Sequence, residues 1–204
     1  MTDIKVNKPE KKKLGVKDFI TIGIFTAILF VVEFACAMLG YIHPIMVAAL
    51  AVLIPLVGGI PMMLFYTKID KFGMITIMSV LVAIIMFVTG MGYLGAPLIL
   101  VSGVGADLIA ASGKYKSVRK TVISYAVFCL WICANYFPVV ITANSYRKDL
   151  VEAGYSAEYC NNLFAVVNYK TIAILVAVCF IFGCIGALIG KAAVNKHFMK
   201  AGIA

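Results

Sequence analysis

Charge is scarce in this sequence. Of its 204 residues, 13% are charged and 63% are hydrophobic. A soluble domain of that length has too little interior to hide so much apolar surface, so the composition points to an integral membrane protein. Histidine is scarcer still, with only His43 and His197. No HExxH run occurs, which argues against the zinc hydrolases that place two ligands one helical turn apart. No GxSxG elbow occurs either. The GK dipeptide at 190–191 fails the phosphate-loop pattern, because Ile185 stands where its first glycine belongs and Ala192 where a serine or threonine would hold magnesium. The expectation is therefore a chain that is not an enzyme and has no cofactor or metal of its own.

The six cysteines form no disulfide framework. Cys36, Cys129, Cys133, Cys179 and Cys184 lie inside apolar runs, and only Cys160 lies in a polar stretch. Cys129 and Cys133 share a helix face without histidine or carboxylate neighbours, which suits packing better than metal binding. Acidic residues are missing from the apolar runs as well, except for Glu33 and Asp107. A stand-alone secondary carrier coupled to an ion gradient would have only those two groups to work with, so it is the alternative rather than the leading reading.

The net charge of +9 could suggest nucleic acid, but the lysines and arginines sit in clusters between apolar runs. That is the pattern of cytoplasmic loops, so the expected partner is a lipid bilayer and not nucleic acid. Six segments are apolar and long enough to span: 19–40, 44–67, 72–90, 96–112, 118–142 and 165–190. Pro55 and the GGIP run at 58–61 predict a kink or break in the second. With the N-terminus inside, fifteen lysines and arginines face the cytoplasm and three, Arg147, Lys148 and Lys170, face outward. The expected fold is an all-α integral membrane protein, a six-transmembrane-helix bundle with both termini cytoplasmic. Residues 1–16 form a basic tail, 17–195 the membrane domain and 196–204 a C-terminal tail. The basic start and the ACA at 35–37 imitate a signal peptide, but the apolar run is too long and Glu33 interrupts it, so no cleavage is expected.

Two connections on the outer side are short, YIH at 41–43 and MGYLG at 91–95. The third, 143–164, is long, polar and rich in tyrosine, with the run YRKDLVEAGYSAEYCNN. It is a solvated connector or a lid over an outward-facing site, with a short surface helix within it.

A binding site needs apolar walls and a few convergent polar groups. Glu33 lies ten residues beyond Gly23, about 15 Å along the helix and toward the outer side. A carboxylate at that depth must face the bundle interior, a partner or water. Trp131 and Asn135 are four apart on the fifth segment, a ring beside an amide, with Tyr136 next to them. Asn168, Tyr169 and Lys170 stand near the start of the sixth. Tyr41, His43 and Tyr93 lie in the two short connections. These ten are the candidate substrate-binding residues.

Small residues form three flat faces: Gly23 and Ala27, the GVGADLIAA run at 103–111, and the GALIG run at 186–190. Each is either ordinary packing inside the bundle or a surface for a partner helix. The GIFTA run at 23–27 is similar to the AxxxA-type motif on the first helix of the substrate-binding membrane subunits, or S components, of energy-coupling-factor transporters, with Gly23 for the first alanine. GVGADLIAASGKYKS at 103–117 resembles the end of the fourth helix in that family. VKDFITIGIFTAILFVVEF at 16–34, GGIPMMLFYTKIDKFGMITIMS at 58–79 and IGALIGKAAVNKHFMKAGIA at 185–204 resemble its Trep/Strep (MptD-like) branch. The likeness runs over nearly the whole chain from Val16. It implies a six-helix bacterial cell-membrane protein that binds a vitamin-sized micronutrient on its outer side. It further implies docking through Gly23 and Ala27 on a membrane scaffold subunit, driven by two partner ATPases that use the ATP.

Overall fold

The computed structural model describes residues 13–89 and 93–198, and within them the chain is helical with connecting turns. Helix α1 is Val16–Ala37, α2 Pro44–Lys68, α3 Met74–Val88, α4 Ala96–Ser112 and α5 Val118–Ile141. Two short helices follow, α6 at Ala143–Glu152 and α7 at Ala157–Val166, before α8 at Ile172–Ala193. The first twelve and last six residues of the two expected tails lie outside the described residues.

Local chemistry sets the helix ends. Asp18 accepts from the Gly15 N–H at 2.7 Å, closing the first turn of α1. The same carboxylate takes the Lys71 ammonium at 2.6 Å, which ties that end to the α2–α3 turn. Pro44 occupies the first turn of α2, where its missing N–H costs nothing, and His43 Nδ1 accepts from the Ile45 N–H at 3.2 Å. Ser156 caps α7 by accepting from the Tyr159 N–H at 3.0 Å.

Four helical stretches are long and apolar enough to cross a membrane: 16–41, 44–68, 118–141 and 172–196. The other two apolar helices are shorter. At 15 and 17 residues, α3 and α4 reach about 22 and 25 Å, less than a hydrocarbon core of ~30 Å. The expected segment 72–90 is trimmed because Gly73, at φ 104°, turns the chain into α3 and Thr89 ends it. No break appears in α2, which runs as α-helix through both Pro55 and Pro61. The Pro55 carbonyl, on the helix's crowded side, accepts from the Tyr125 hydroxyl of α5 at 2.8 Å.

The helices meet through small residues. A Cβ added to Gly59 of α2 would fall on the Gly186 backbone of α8. One added to Gly186 would fall on the Pro55 carbonyl, and one on Gly190 would strike the Gly59 carbonyl. A Cβ on Gly103 of α4 would fall on the Ser79 side chain of α3, and one on Gly183 of α8 would come within 2.8 Å of the Ala126 Cα of α5. Two of the three flat faces are thus used up inside the bundle, where close backbone approach replaces the hydrophobic driving force that lipid removes. The third is not: Gly23 and Ala27 are exposed, and a Cβ on Gly23 would meet nothing within 4 Å. The interior holds Trp131, Tyr125, Tyr136, Phe65 and Phe128 fully buried. The outside carries bare Ile24, Val31, Val88, Val101, Ile174 and Leu188, a surface that only lipid solvates cheaply.

Candidate functional site

At the end of the bundle where α1 passes to α2, the helices splay around a cavity of about 550 Å³. Its walls are the last turns of α1, the first half of α2, the end of α3 and the second half of α5. Helices α6 and α7 fold across its mouth. The shape follows from the sequence at α5. Residues Leu130–Tyr136 wind as a 3-10 helix, so α5 is thinner and longer there than an α-helix would be.

Glu33 faces this cavity and is 4% exposed. Its Oε2 is buried and has no hydrogen-bond partner. Among the described residues it is the side-chain atom that breaks the rule that buried polar groups are satisfied. The same cavity is lined by Phe30 and Phe34 (ring centroids 5.8 Å apart), Trp131, Met86 and Asn135. Asn135 Nδ2 donates to the Ile132 carbonyl at 3.0 Å, which holds the amide in one orientation at the wall.

Tyrosines close the mouth. Tyr41, from the turn after α1, lies nearly parallel to Tyr155, with centroids 6.2 Å apart. Tyr155 packs on Tyr159 at 4.7 Å, and the Tyr159 hydroxyl donates to the Gly40 carbonyl at 2.7 Å. That last bond ties α7 to the end of α1. Burial pushes the Tyr159 phenol up to about 12, with Tyr155 adding to the shift, so it remains a neutral donor at ordinary pH. Tyr146 is raised likewise, mainly by burial. Arg147 donates to Asn161 Oδ1 at 2.8 Å and lies 4.7 Å over the Phe164 ring, fixing α6 to α7.

Four of the ten expected site residues, Glu33, Tyr41, Trp131 and Asn135, come together here. The 3-10 winding puts Trp131 and Asn135 about 120° apart rather than on one face, yet both border the cavity because α5 runs along it. Five do not join. His43 is an exposed helix cap. Tyr136 is fully buried and donates to the Val47 and Ala48 carbonyls at 3.1 and 3.2 Å, binding α5 to α2. Asn168, Tyr169 and Lys170 precede the last helix instead of opening it. Asn168 Oδ1 accepts from the Lys170 and Thr171 N–H groups at 2.9 and 3.2 Å, which makes a turn and delays α8 to Ile172. Tyr169 is 75% exposed. The side chain of Tyr93 lies outside the described residues.

Phe30, Phe34, Tyr146, Asp149, Tyr155 and Tyr159, outside the expected set, also line the cavity. Their signal was the tyrosine-rich run itself, which holds three of the four mouth tyrosines.

Asp107 is different from Glu33. It is fully buried at the opposite end of the bundle. Its Oδ2 accepts from the Gly73 N–H (2.8 Å), the Thr76 N–H (3.1 Å) and the Thr76 hydroxyl (2.9 Å), and its Oδ1 from the Tyr115 hydroxyl (3.0 Å). A residue of α4 thereby caps α3 and holds the α4–α5 turn, where Lys114 and Tyr115 adopt left-handed backbone at φ 51° and 56°. No group of three or more histidine, cysteine or carboxylate side chains suited to a metal ion occurs among the described residues.

Searches of curated proteins and of solved structures returned no match. A family described as "Hypothetical bacterial integral membrane protein (Trep_Strep)" matches residues 16–200. That match takes in every helix and the whole cavity, and it agrees with the lipid-suited exterior: the chain belongs to the Trep_Strep family of bacterial integral membrane proteins.

Proposed function

We propose that this protein is the substrate-binding S component of an energy-coupling-factor importer in the bacterial cell membrane. All six apolar helices span, with both termini cytoplasmic, as the fifteen-to-three distribution of lysine and arginine favours. The α1–α2 end then faces outward, and the cavity takes a vitamin-sized micronutrient from outside. The observation that carries the reading is Glu33: a buried carboxylate atom without a partner, on the wall of a cavity of ligand size.

Delivery would use the other feature of α1. Gly23 and Ala27 lie on its open face, which suits docking on a membrane scaffold subunit whose two ATPases spend the ATP. This chain itself would need no cofactor and do no covalent chemistry. The alternative, a stand-alone secondary transporter using Glu33 and Asp107 for ion coupling, is weakened at Asp107. Four donors already occupy that carboxylate and bind it into the fold.

Native mass spectrometry of gently purified protein tests the ligand reading. The expected spectrum carries a bound small molecule that disappears when Trp131→Ala opens the cavity wall. A spectrum of bare chain from membranes grown on rich medium contradicts it. Liposome uptake by the purified chain alone, driven by an ion gradient, would establish the carrier instead.

A further inference from the structure

The charges around the cavity are of one sign. Two ionisable carboxyl groups line it, Glu33 on the wall and Asp149 from α6 at the mouth, and no lysine, arginine or histidine does so among the described residues. The remaining lining is rich in π-faces: Phe30, Phe34, Tyr41, Trp131, Tyr146, Tyr155 and Tyr159. Of the three outer basic residues, Arg147 is held by Asn161 and Phe164, and Lys148 and Lys170 are exposed and do not line the cavity.

An anionic ligand entering here would lose its hydration and gain no counter-charge. A cation gains on both counts. Carboxylates offset its desolvation, and aromatic faces attract it through their quadrupoles, more strongly where water is excluded. The unpartnered Glu33 Oε2 is the atom such a cation would satisfy. Trp131, on the wall of the same cavity, is the strongest type of cation–π face.

We propose that the cavity selects a positively charged organic ligand, an ammonium, amidinium or cationic nitrogen heterocycle attached to an apolar body, with the charge seated between Glu33 and Trp131. The proposal rests on the reading of this cavity as the ligand site. It goes further in excluding carboxylate-bearing and phosphorylated micronutrients as cargo.

The chain has one tryptophan, and it lines the site, so intrinsic fluorescence reads the cavity directly. The full-length protein in nanodiscs is titrated with three probes of similar body: benzyltrimethylammonium, benzyl alcohol and phenylacetate. The expected result is a saturable change in Trp131 emission with the cation at a concentration at least roughly tenfold below that needed for either other probe. Glu33→Gln should abolish that preference while leaving the emission maximum of the unliganded protein in place. Asp149→Asn, at the exposed mouth, should reduce it in part and guards against a folding defect in the first variant. A saturable response to alcohol or phenylacetate that equals the cation's overturns the charge selectivity and leaves the cavity as a site. A cation preference that survives Glu33→Gln also overturns the proposal. No saturable response to any probe removes the cavity as a ligand site altogether.

Discussion

Glu33 and Asp107 are chemically alike and surrounded differently, and the difference predicts opposite mutational behaviour. Asp107→Asn weakens a charged acceptor serving four donors and should lower stability by about 1.5–3 kcal/mol. Glu33→Gln removes a buried carboxyl with an unpartnered oxygen and should leave stability unchanged or raised. Thermal unfolding of the two variants in one detergent checks the pair. If both fall equally, Glu33 is a structural residue. A second contrast separates the two asparagines. Asn135→Ala should weaken ligand binding by roughly 1–3 kcal/mol, because it strips a polar group from the cavity wall. Asn168→Ala should cost about 0.5–2 kcal/mol of stability through the lost turn before α8 and leave binding alone. Sequence pattern alone could not tell these asparagines apart, since each is an amide beside aromatic residues near a segment's outer end. Only the partners distinguish them: Asn168 spends both ends of its side chain on its own backbone, whereas Asn135 makes one such bond, from Nδ2 to the Ile132 carbonyl, and lines the cavity.

At the scale of elements, hydropathy made all six apolar helices legible, because lipid demands long runs and internally satisfied backbone. The ends were less so. The last spanning helix starts seven residues later than its apolar run, because Ala165 and Val166 finish α7 and Asn168 organises the turn that follows. The 3-10 winding of α5 had no signature in the pattern. The small-residue faces were visible but not their partners. Gly59→Ala or Gly186→Ala should each destabilise by about 1–3 kcal/mol, because a methyl group has only opposing backbone to enter. Gly23→Ala should be neutral in the same assay, its Cβ facing open space. The α6–α7 pair makes a further prediction. The Tyr159 phenol is raised from its ordinary 10.0 to about 12, so the folded latch holds its proton more tightly than the open chain does. Its contribution is full below about pH 10 and lost as pH rises through about 12. Amide exchange in α7 should therefore quicken over that window. Tyr159→Phe should show the faster exchange at neutral pH and no further change of this kind.

For the molecule as a whole, the bundle presents a ligand-sized cavity at one end and an unpacked small-residue face along the other half of α1. Reporter fusions test the orientation. A fusion at Ala204 should read cytoplasmic and one near Glu152 external, and an external C-terminus would turn the cavity inward. On the proposed function, this chain binds cargo and relies on other subunits for energy. The most direct measurement is copurification of the tagged full chain from its own membranes in mild detergent, with the bound proteins identified by mass spectrometry. The wild type should bring down one membrane scaffold and two ATPase subunits. Gly23→Trp should lose them while keeping its fold, because Gly23 is exposed and a Cβ there meets nothing within 4 Å. A wild-type chain that comes down with neither scaffold nor ATPase, and that moves solute in liposomes unaided, would contradict the claim.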